Sequence, residues 1–436
     1  MRMLQKIDRA HYRQAYRVLQ WLVFSARPIN AAEAIEAVAM QGSNGCQLDP
    51  DERLHSPKAL LSMCGDLVDL EHDPHQYMLK RELKLTHFSI KEYLVSTQAR
   101  NDHGLSYMIE ERETHGDIAR LCVSYLSTVS ETTISESTLK DYPLALYAAN
   151  HWIHHFLAYT SKQSDSGSDL WKEVLGSERR LTGWLRLMDP DYPNRKSLLQ
   201  KGVEKISSPL YYASLCGIKH AVEDLLHSSD LQLQEPGRYG TALQAAAHNG
   251  HVQIVRALLG AGADPNTNNG FYGCALQAAC FYGSEEIVRI LVDAGAELEL
   301  KGPTYHCPLL AAAYKGHTDI ARYLIGKGAE VNIYTATKPH HRSPLYAAAF
   351  QGHEDCVKVL LDSGAEKDDS KGYYGSALGA AASRGHEGTL RLLGRYGVDL
   401  DVRGQYGTAL ETAILKGERG AVQILEELKR DRAAAH

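Results

Sequence analysis

The chain has 436 residues, of which 44% are hydrophobic and 23% are charged, a globular composition long enough for two or three domains. Its formal net charge of -6 argues against a general attraction to nucleic acid or anionic lipid. No apolar run approaches the roughly 18–20 residues of a membrane-spanning helix, and the scattered cysteines include no CxxC pair. We therefore expect no membrane association, reduced thiols, and a location in the cytoplasm, the nucleus or both.

Residues 1–100 predict helices followed by a β-hairpin. The segment AYRVLQWLVFSARPINAAEAIEAVAM predicts two helices separated at Pro28, with Asn30 as a helix cap and Glu33 at capping-box spacing. The segment SPKALLSMCGDLVDL predicts a third helix that leads into a strand. YMLKRELKLTHFSIKEYLVS supplies the returning strand and a further helix. Three helices with a two-stranded wing indicate a winged-helix-like domain.

A winged helix raises the alternative of DNA binding. The candidate third helix offers Lys58 as its only cation, and Asp66 and Asp69 oppose it. Because DNA recognition needs a basic surface, we expect no direct nucleic-acid binding and favour a structural or regulatory role for this domain.

Residues 101–204 predict a helical spacer. In NHWIHHF, the histidines His151, His154 and His155 could share one helical face, but no Cys, Asp or Glu within a turn completes a set of metal ligands. Packing is therefore favoured, and no metal is expected. Small polar residues at 161–168 predict a solvated loop that a protease would cut.

These N-terminal segments resemble a known family. RVLQWLVFSARPI, the LVDL hairpin and LTHFSIKEYLVS are similar to the winged-helix segment that follows the nucleotide-binding NACHT module in fungal NOD-like proteins. YPLALYAANHWIHHF is similar to the lead-in to ankyrin arrays in that family. The resemblance implies an upstream nucleotide-binding module, but no GxxxxGK[ST] occurs in this chain, so no ATP-driven switch is expected. A naturally shortened member and an incomplete gene model both remain open.

From residue 205 to residue 436 the chain repeats itself. Seven repeat starts follow one another at intervals of 33, 33, 33, 36, 33 and 32 residues: Ser208, Thr241, Cys274, Cys307, Ser343, Ser376 and Thr408. A period near 33, built as a turn and two helices, is typical of ankyrin repeats. The chain is therefore predicted to be mainly α, with an α-solenoid of about seven repeats after the winged-helix-like domain and the spacer.

Each residue type in the repeat has a structural task. Hydroxyls at the starts cap the first helix, and an apolar stripe that includes Leu291 faces the core from the second helix. Glycines are expected to end the second helix in a left-handed conformation: Gly262, Gly295, Gly328 and Gly364. The histidine of the usual TPLH motif is replaced by Gln244, Gln277, Leu310 or Tyr346, which we expect to weaken hydrogen bonding at the helix start.

No catalytic set is apparent in the repeats. The periodic histidines are similar to the family's structural histidines, which bond the backbone: His251, His317, His353 and His386. Cys274 and Cys307 occupy helix-cap positions and are interpreted as structural substitutions. Because kinase, acyltransferase and GxSxG motifs are all missing from the sequence, we expect a non-catalytic protein without a cofactor.

Two aromatic stripes are candidates for binding a partner. Each first helix carries a pair of neighbouring residues that we expect to be exposed. In three consecutive repeats these pairs include aromatic residues, Phe281 and Tyr282, Tyr314, and Phe350, with Lys315 at their edge. We expect them to form one exposed patch in the concave groove, since aromatic residues dominate binding hot spots. A second stripe lies at the hairpin tips: Tyr239, Tyr272, Tyr305, Tyr374 and Tyr406, with His341 in the longer fifth hairpin. The alternative for this second stripe is stacking of one hairpin on the next.

Three functional hypotheses follow. The first is a non-catalytic scaffold that binds a protein through its ankyrin groove. The second is a transcriptional co-regulator that holds a transcription factor, for example in a fungal secondary-metabolite pathway. The third is a truncated NOD-like protein that lacks its nucleotide-binding module. Only the third predicts a P-loop encoded upstream.

Overall fold

The computed structural model divides into two compact units, Met1–Pro209 and Leu210–His436. The residues that it describes are 7, 9–41, 47–48, 53–71, 77–96, 108–130, 134–161, 168–193, 206–228, 231–334, 343–369 and 372–435. Residues 162–167 of the expected protease-sensitive loop and His341 lie outside them. The boundary expected between residues 100 and 101 falls inside the first unit. The division of this unit into a winged-helix-like domain and a spacer therefore remains a prediction.

The first unit begins with helices and a hairpin, in the order expected. The helices are α1 (Tyr12–Phe24), α2 (Ala31–Ala39), α3 (Pro57–Cys64) and α4 (Phe88–Val95). The strands are β1 (Met40–Gln41), β2 (Gln47–Leu48), β3 (Val68–Leu70) and β4 (Leu83–Leu85), paired antiparallel as β1–β2 and β3–β4. The predicted capping box is confirmed: Glu33 N donates to Asn30 Oδ1 at 2.9 Å, and Asn30 N donates to Glu33 Oε2 at 3.0 Å.

The rest of the first unit is helical, as the spacer prediction required. Its helices are α5 (Glu111–Ser130), α6 (Glu136–Asp141), α7 (Ala145–Thr160), α8 (Lys172–Leu175) and α9 (Glu178–Leu187). Helix α7 packs along α5, and Trp152 meets Trp184 edge-on with ring centroids 5.7 Å apart. Both indoles are fully buried. Burial of such large rings supplies much of the driving force for this core.

The second unit consists of seven helix pairs, one per predicted repeat. They are α10 (Pro209–Cys216) with α11 (Lys219–Leu226), α12 (Ala242–His248) with α13 (Val252–Gly260), α14 (Ala275–Tyr282) with α15 (Glu285–Asp293), α16 (Pro308–Lys315) with α17 (Thr318–Gly326), α18 (Pro344–Gln351) with α19 (Glu354–Asp362), α20 (Ala377–Ala382) with α21 (Glu387–Arg395), and α22 (Ala409–Lys416) with α23 (Arg419–Ala435). The mainly helical ankyrin-repeat solenoid that the sequence predicted is the observed fold.

Stacking of successive first helices forms the continuous core of this solenoid. Alanines 245–247 are fully buried and let neighbouring repeats approach closely, and Leu291 on α15 is fully buried as predicted. The four predicted glycines follow their second helices with φ between 85° and 98°. A short hairpin, here called a finger, precedes a first helix and is closed by an antiparallel bridge, for example Asn269 with Gly273.

Among the residues that the structure describes, no helix is both long and apolar enough to cross a membrane.

Candidate partner-binding surface of the repeats

Three of the five tyrosines at the finger tips are buried, and Tyr239 and Tyr406 are half-buried. Tyr272, Tyr305 and Tyr374 expose only 3%, 7% and 8% of their surface. The rings of Tyr239 and Tyr272 stack with centroids 6.0 Å apart at 11°, and those of Tyr272 and Tyr305 follow at 6.3 Å and 13°. The expected exposed stripe is therefore wrong for Tyr272, Tyr305 and Tyr374. Their rings are buried because each finger lies against the next one, which is the stacking alternative.

Aromatic side chains of the first helices insert between these tyrosines. The Phe281 ring centroid lies 5.0 Å from that of Tyr272 and 5.1 Å from that of Tyr305, and Tyr314 lies 5.3 Å from Tyr305. The two predicted stripes thus form one structure, the aromatic ladder, made of Tyr239, His248, Tyr272, Phe281, Tyr305 and Tyr314. Phe281 and Tyr314 are consequently half-buried, not exposed.

A second aromatic cluster occupies the later repeats. Phe350 exposes 9% of its surface and packs with Tyr346 and Tyr374 in one buried cluster. The ring of Tyr374 continues to Tyr406, with centroids 5.7 Å apart. The prediction that Phe350 belongs to an exposed patch is therefore wrong, because the following finger covers its ring.

Two of the predicted partner-binding residues remain open to solvent. Tyr282 is 52% exposed, and Lys315 is also exposed, with Nζ 4.7 Å above the ring centroid of Phe281. We call the exposed surface of the first helices beside the fingers the groove face. In the last repeat, Leu415 of α22 is 63% exposed on this face. Ile414 is 59% exposed, but it occupies the position that the following repeat buries in the earlier units.

Two further cations share the arrangement of Lys315. Arg384 Cζ lies 4.2 Å above the ring centroid of Phe350, and Lys416 Nζ lies 5.2 Å from that of Tyr406. We call these three residues the cation row: Lys315, Arg384 and Lys416. All three occupy the same position in the repeat, eight residues after the repeat start, so the sequence carried a signal for the row. Lys315 and Lys416 end their first helices, and Arg384 lies two residues beyond the end of α20.

The second helices show a different charge pattern. Four of their arginines form ion pairs with carboxylates: Arg256 with Glu286 at 3.1 Å, Arg289 with Glu285 at 2.5 Å, Arg322 with Asp319 at 2.5 Å, and Arg391 with Glu427 at 3.0 Å. Within the described ranges, no carboxylate forms an ion pair within 4.0 Å with a member of the cation row. The three cations of the row are thus not held in ion pairs.

The periodic histidines hold neighbouring repeats together, as predicted. His251, His317, His353 and His386 each place Nε2 between 3.1 and 3.2 Å from a backbone carbonyl of the preceding repeat. Burial lowers the pKa of His251, His317 and His353, so neutral rings are favoured there. This bonding explains their recurrence without any catalytic role.

The glutamines that replace the TPLH histidine strengthen the array instead of weakening it. Gln244 Oε1 accepts from Thr241 N, and Gln277 Oε1 accepts from Cys274 N at 3.3 Å. Each side-chain amide then donates to the following finger, as from Gln277 Nε2 to Leu300 O at 2.8 Å. The expected loss of hydrogen bonding at the helix start is therefore wrong for Gln244 and Gln277, because an amide both accepts and donates.

A histidine cluster in the first unit is the one candidate metal centre that the described residues offer. Ligand nitrogens of His115, His154 and His155 lie within 4.8 Å of one another. His115 was missed in the sequence because it comes from α5, whereas the other two lie on α7. His155 already uses both ring nitrogens, with His115 Nδ1 at 2.7 Å and Tyr147 Oη at 2.9 Å. A metal would have to break the bond between the two rings, so the contacts favour packing.

Burial keeps this histidine pair neutral. It lowers the pKa of His155 from 6.5 to about 3, and it also lowers the pKa of His115. The neighbouring imidazoles lower both values further, because two positive charges at this distance repel each other. The arrangement can share one proton between the two rings.

Comparison with family models supports the repeat fold of the second unit. Residues 210–302 and 276–371 match the family model described as ankyrin repeats (3 copies). The chain is similar to the azaphilone pigments biosynthesis cluster protein L of Monascus ruber, with 31% identity over 280 residues, 60% of this chain and 58% of that protein. The chain thus matches little more than half the length of that relative. It is also similar to the human ASB11 ankyrin repeat domain, with a TM-score of 0.43, 29% identity, and 50% of this chain and 97% of that one covered.

Proposed function

We propose that this ankyrin-repeat protein is a non-catalytic scaffold whose groove face binds a protein partner. Ankyrin repeats imply protein–protein interaction. The observation that carries the proposal is the exposure of Tyr282, a large aromatic side chain on the groove face that is 52% exposed. Lys315 on the next repeat is also exposed, and aromatic residues and cations recur in binding hot spots.

The aromatic ladder supports this role by making the surface rigid. Tyr282 directly follows Phe281, whose ring is held between Tyr272 and Tyr305. A side chain carried by a preorganised support loses little conformational freedom when a partner binds. The buried aromatics thus act as the support, and the exposed ones act as the contact.

Replacing Tyr282 by alanine tests the proposal. Proteins bound by the full chain are cross-linked in cells of its source, captured and quantified by mass spectrometry. The free energy of binding between the partner and the Tyr282→Ala variant should be weaker by about 2 kcal/mol, the scale of a hot-spot truncation. Tyr77→Ala serves as the control, since Tyr77 is 83% exposed and lies in the first unit. Equal capture by wild type and Tyr282→Ala, or an equal loss with Tyr77→Ala, contradicts the proposal.

A narrower role as a transcriptional co-regulator is the second candidate. The printed name of the Monascus ruber relative places that protein in a pigment biosynthesis cluster, which supports a role near a secondary-metabolite pathway. The partner would then be a transcription factor. A fluorescent fusion that stays out of the nucleus, or capture without any transcription factor, would reject this version.

The link to NOD-like proteins is the third candidate. The order of three helices, a hairpin and a fourth helix in the first unit supports a winged-helix-like domain of that kind. Sequencing the 5′ end of the transcript tests it. An in-frame P-loop upstream supports the link, and a transcript that starts at Met1 supports a shortened member.

A further inference from the structure

The members of the cation row are held in place against aromatic rings. The Lys315 ammonium lies above Phe281, the Arg384 guanidinium above Phe350, and the Lys416 ammonium beside Tyr374 and Tyr406. Such contacts stabilise a cation at an exposed site. They fix the long side chains and leave the charged heads in water, so less entropy is lost when a partner pairs with them.

Arg384 has an additional contact that orients it. Its Nη1 donates to Gln351 Oε1 at 2.9 Å, on the first helix of the preceding repeat. The stacked guanidinium is therefore fixed in direction as well as in position. A planar guanidinium held in this way presents its remaining N–H groups for bidentate pairing with a carboxylate.

The surroundings of the row determine which partner chemistry fits. The whole chain is acidic, with a net charge of -6, yet in the part that the structure describes no carboxylate pairs with these three cations. Tyr282 and Leu415 are exposed apolar side chains near the two ends of the row. Positive charges flanked by apolar groups complement a segment in which carboxylates lie between apolar residues.

We propose that the groove face binds an acidic protein segment, in which Asp or Glu side chains pair with Lys315, Arg384 and Lys416 and apolar side chains pack on Tyr282 and Leu415. This inference rests on the proposed scaffold function and adds the chemistry of its partner. Nucleic acid is the less suitable ligand, because single strands bind by stacking bases on open aromatic faces. Here the cations and neighbouring rings cover the faces of Phe281 and Phe350.

The test uses the full chain and fluorescein-labelled peptides. One peptide is rich in glutamate with interspersed leucines, and its counterpart has every glutamate replaced by glutamine. Fluorescence anisotropy should show the glutamate peptide binding about tenfold more tightly than the glutamine peptide at low salt. The preference should shrink as salt is added, since exposed charges are screened.

Charge-matched variants locate the site. The variant Lys315→Gln, Arg384→Gln, Lys416→Gln should lose about tenfold in affinity for the glutamate peptide. The control Lys327→Gln, Lys358→Gln, Arg395→Gln makes the same change in net charge with exposed residues from the second-helix side, and should stay within about twofold of wild type. Thermal melts verify that both fold. If the triple variant unfolds, the three single variants replace it, and each should still weaken binding while its second-helix counterpart does not.

Several results would overturn the inference: no binding of the glutamate peptide, equal binding of the glutamine peptide, equal losses in the two triple variants, or tighter binding of a single-stranded DNA oligonucleotide. The capture experiment with Tyr282→Ala separates this failure from failure of the scaffold function. If that variant loses capture but the wild type shows no preference for acidic peptides, the scaffold function is supported and the acidic partner is rejected. Unchanged capture rejects the groove face itself.

Discussion

One histidine occupies a backbone position that the other fingers give to glycine. Gly240, Gly273, Gly375 and Gly407 each close a finger bridge, with φ between 77° and 102°. In the remaining described finger the same place is held by His306, with φ of 55°. A side chain in the left-handed region costs about 1–2 kcal/mol, because its Cβ approaches the following carbonyl oxygen.

Replacing His306 by glycine should therefore stabilise the array. After allowance for the greater freedom of glycine in the unfolded chain, we expect a gain of about 0.5–1 kcal/mol. Denaturant unfolding followed by far-ultraviolet circular dichroism measures it. The variant His306→Ala is the control, because it keeps the Cβ and should gain nothing. A His306→Gly variant no more stable than wild type would show that the imidazole makes an offsetting contact.

At the scale of secondary-structure elements, the aromatic ladder joins first helices to fingers. Because Phe281 and Tyr314 both pack against Tyr305 inside the ladder, we expect replacement of both by alanine to cost about 2–4 kcal/mol of stability. Tyr282→Ala is the matched control, with an expected change of about 0.5 kcal/mol or less. Equal melting of the double variant and wild type would mean that the ladder contributes nothing to stability.

The apolar stripe of the second helices is the other element-scale contribution. Leu291→Ala should cost roughly 2–5 kcal/mol, because the side chain is fully buried and its removal leaves a cavity. Leu415→Ala is the comparison, since that leucine is 63% exposed and should tolerate truncation. Chemical unfolding by circular dichroism distinguishes the two. Similar losses in both variants would contradict the assignment of the buried face.

At the scale of the whole molecule, the two units can be followed by different signals. All four tryptophans lie in the first unit, at positions 21, 152, 171 and 184. Tryptophan fluorescence therefore reports unfolding of the first unit, and the repeat array contributes to circular dichroism without contributing to that signal.

The histidine pair should make the first unit sensitive to acid. The pKa of His155 is about 3 in the folded protein and 6.5 in its ordinary state, so below pH 6.5 the unfolded chain binds a proton that the folded chain does not. The contribution of neutral His155 to the free energy of unfolding is thus fully present above about pH 6.5 and declines as the pH falls. We expect a loss of roughly 2–3 kcal/mol between pH 6.5 and about pH 4.5.

Urea unfolding followed by tryptophan fluorescence at several pH values measures this loss. His154→Asn is the control, because His154 is exposed and stands outside the hydrogen-bonded pair, so the pH dependence should persist in it. A fluorescence midpoint that stays constant over this range would show that the pair accepts a proton without cost.

The amino-acid sequence by itself determined the repeat architecture. The period near 33, the glycine stops and the periodic histidines are local features, since a turn, two short helices and their caps depend on residues close in the chain. The capping box at Asn30 and the order of helices and hairpin before the array were predictable for the same reason. Four glycine stops and four backbone-bonding histidines were confirmed where they were expected.

Only the tertiary structure decided which side chains reach solvent. Tyr272 and Phe281 lie nine residues apart, and both carry rings toward the groove, but their burial depends on Tyr305 of the next finger. His115 and His155 come together only because α5 packs along α7. Sequence spacing gives the face on which a residue lies. The depth of its side chain depends on what the neighbouring element places over it, and that contact is made between residues far apart in the chain.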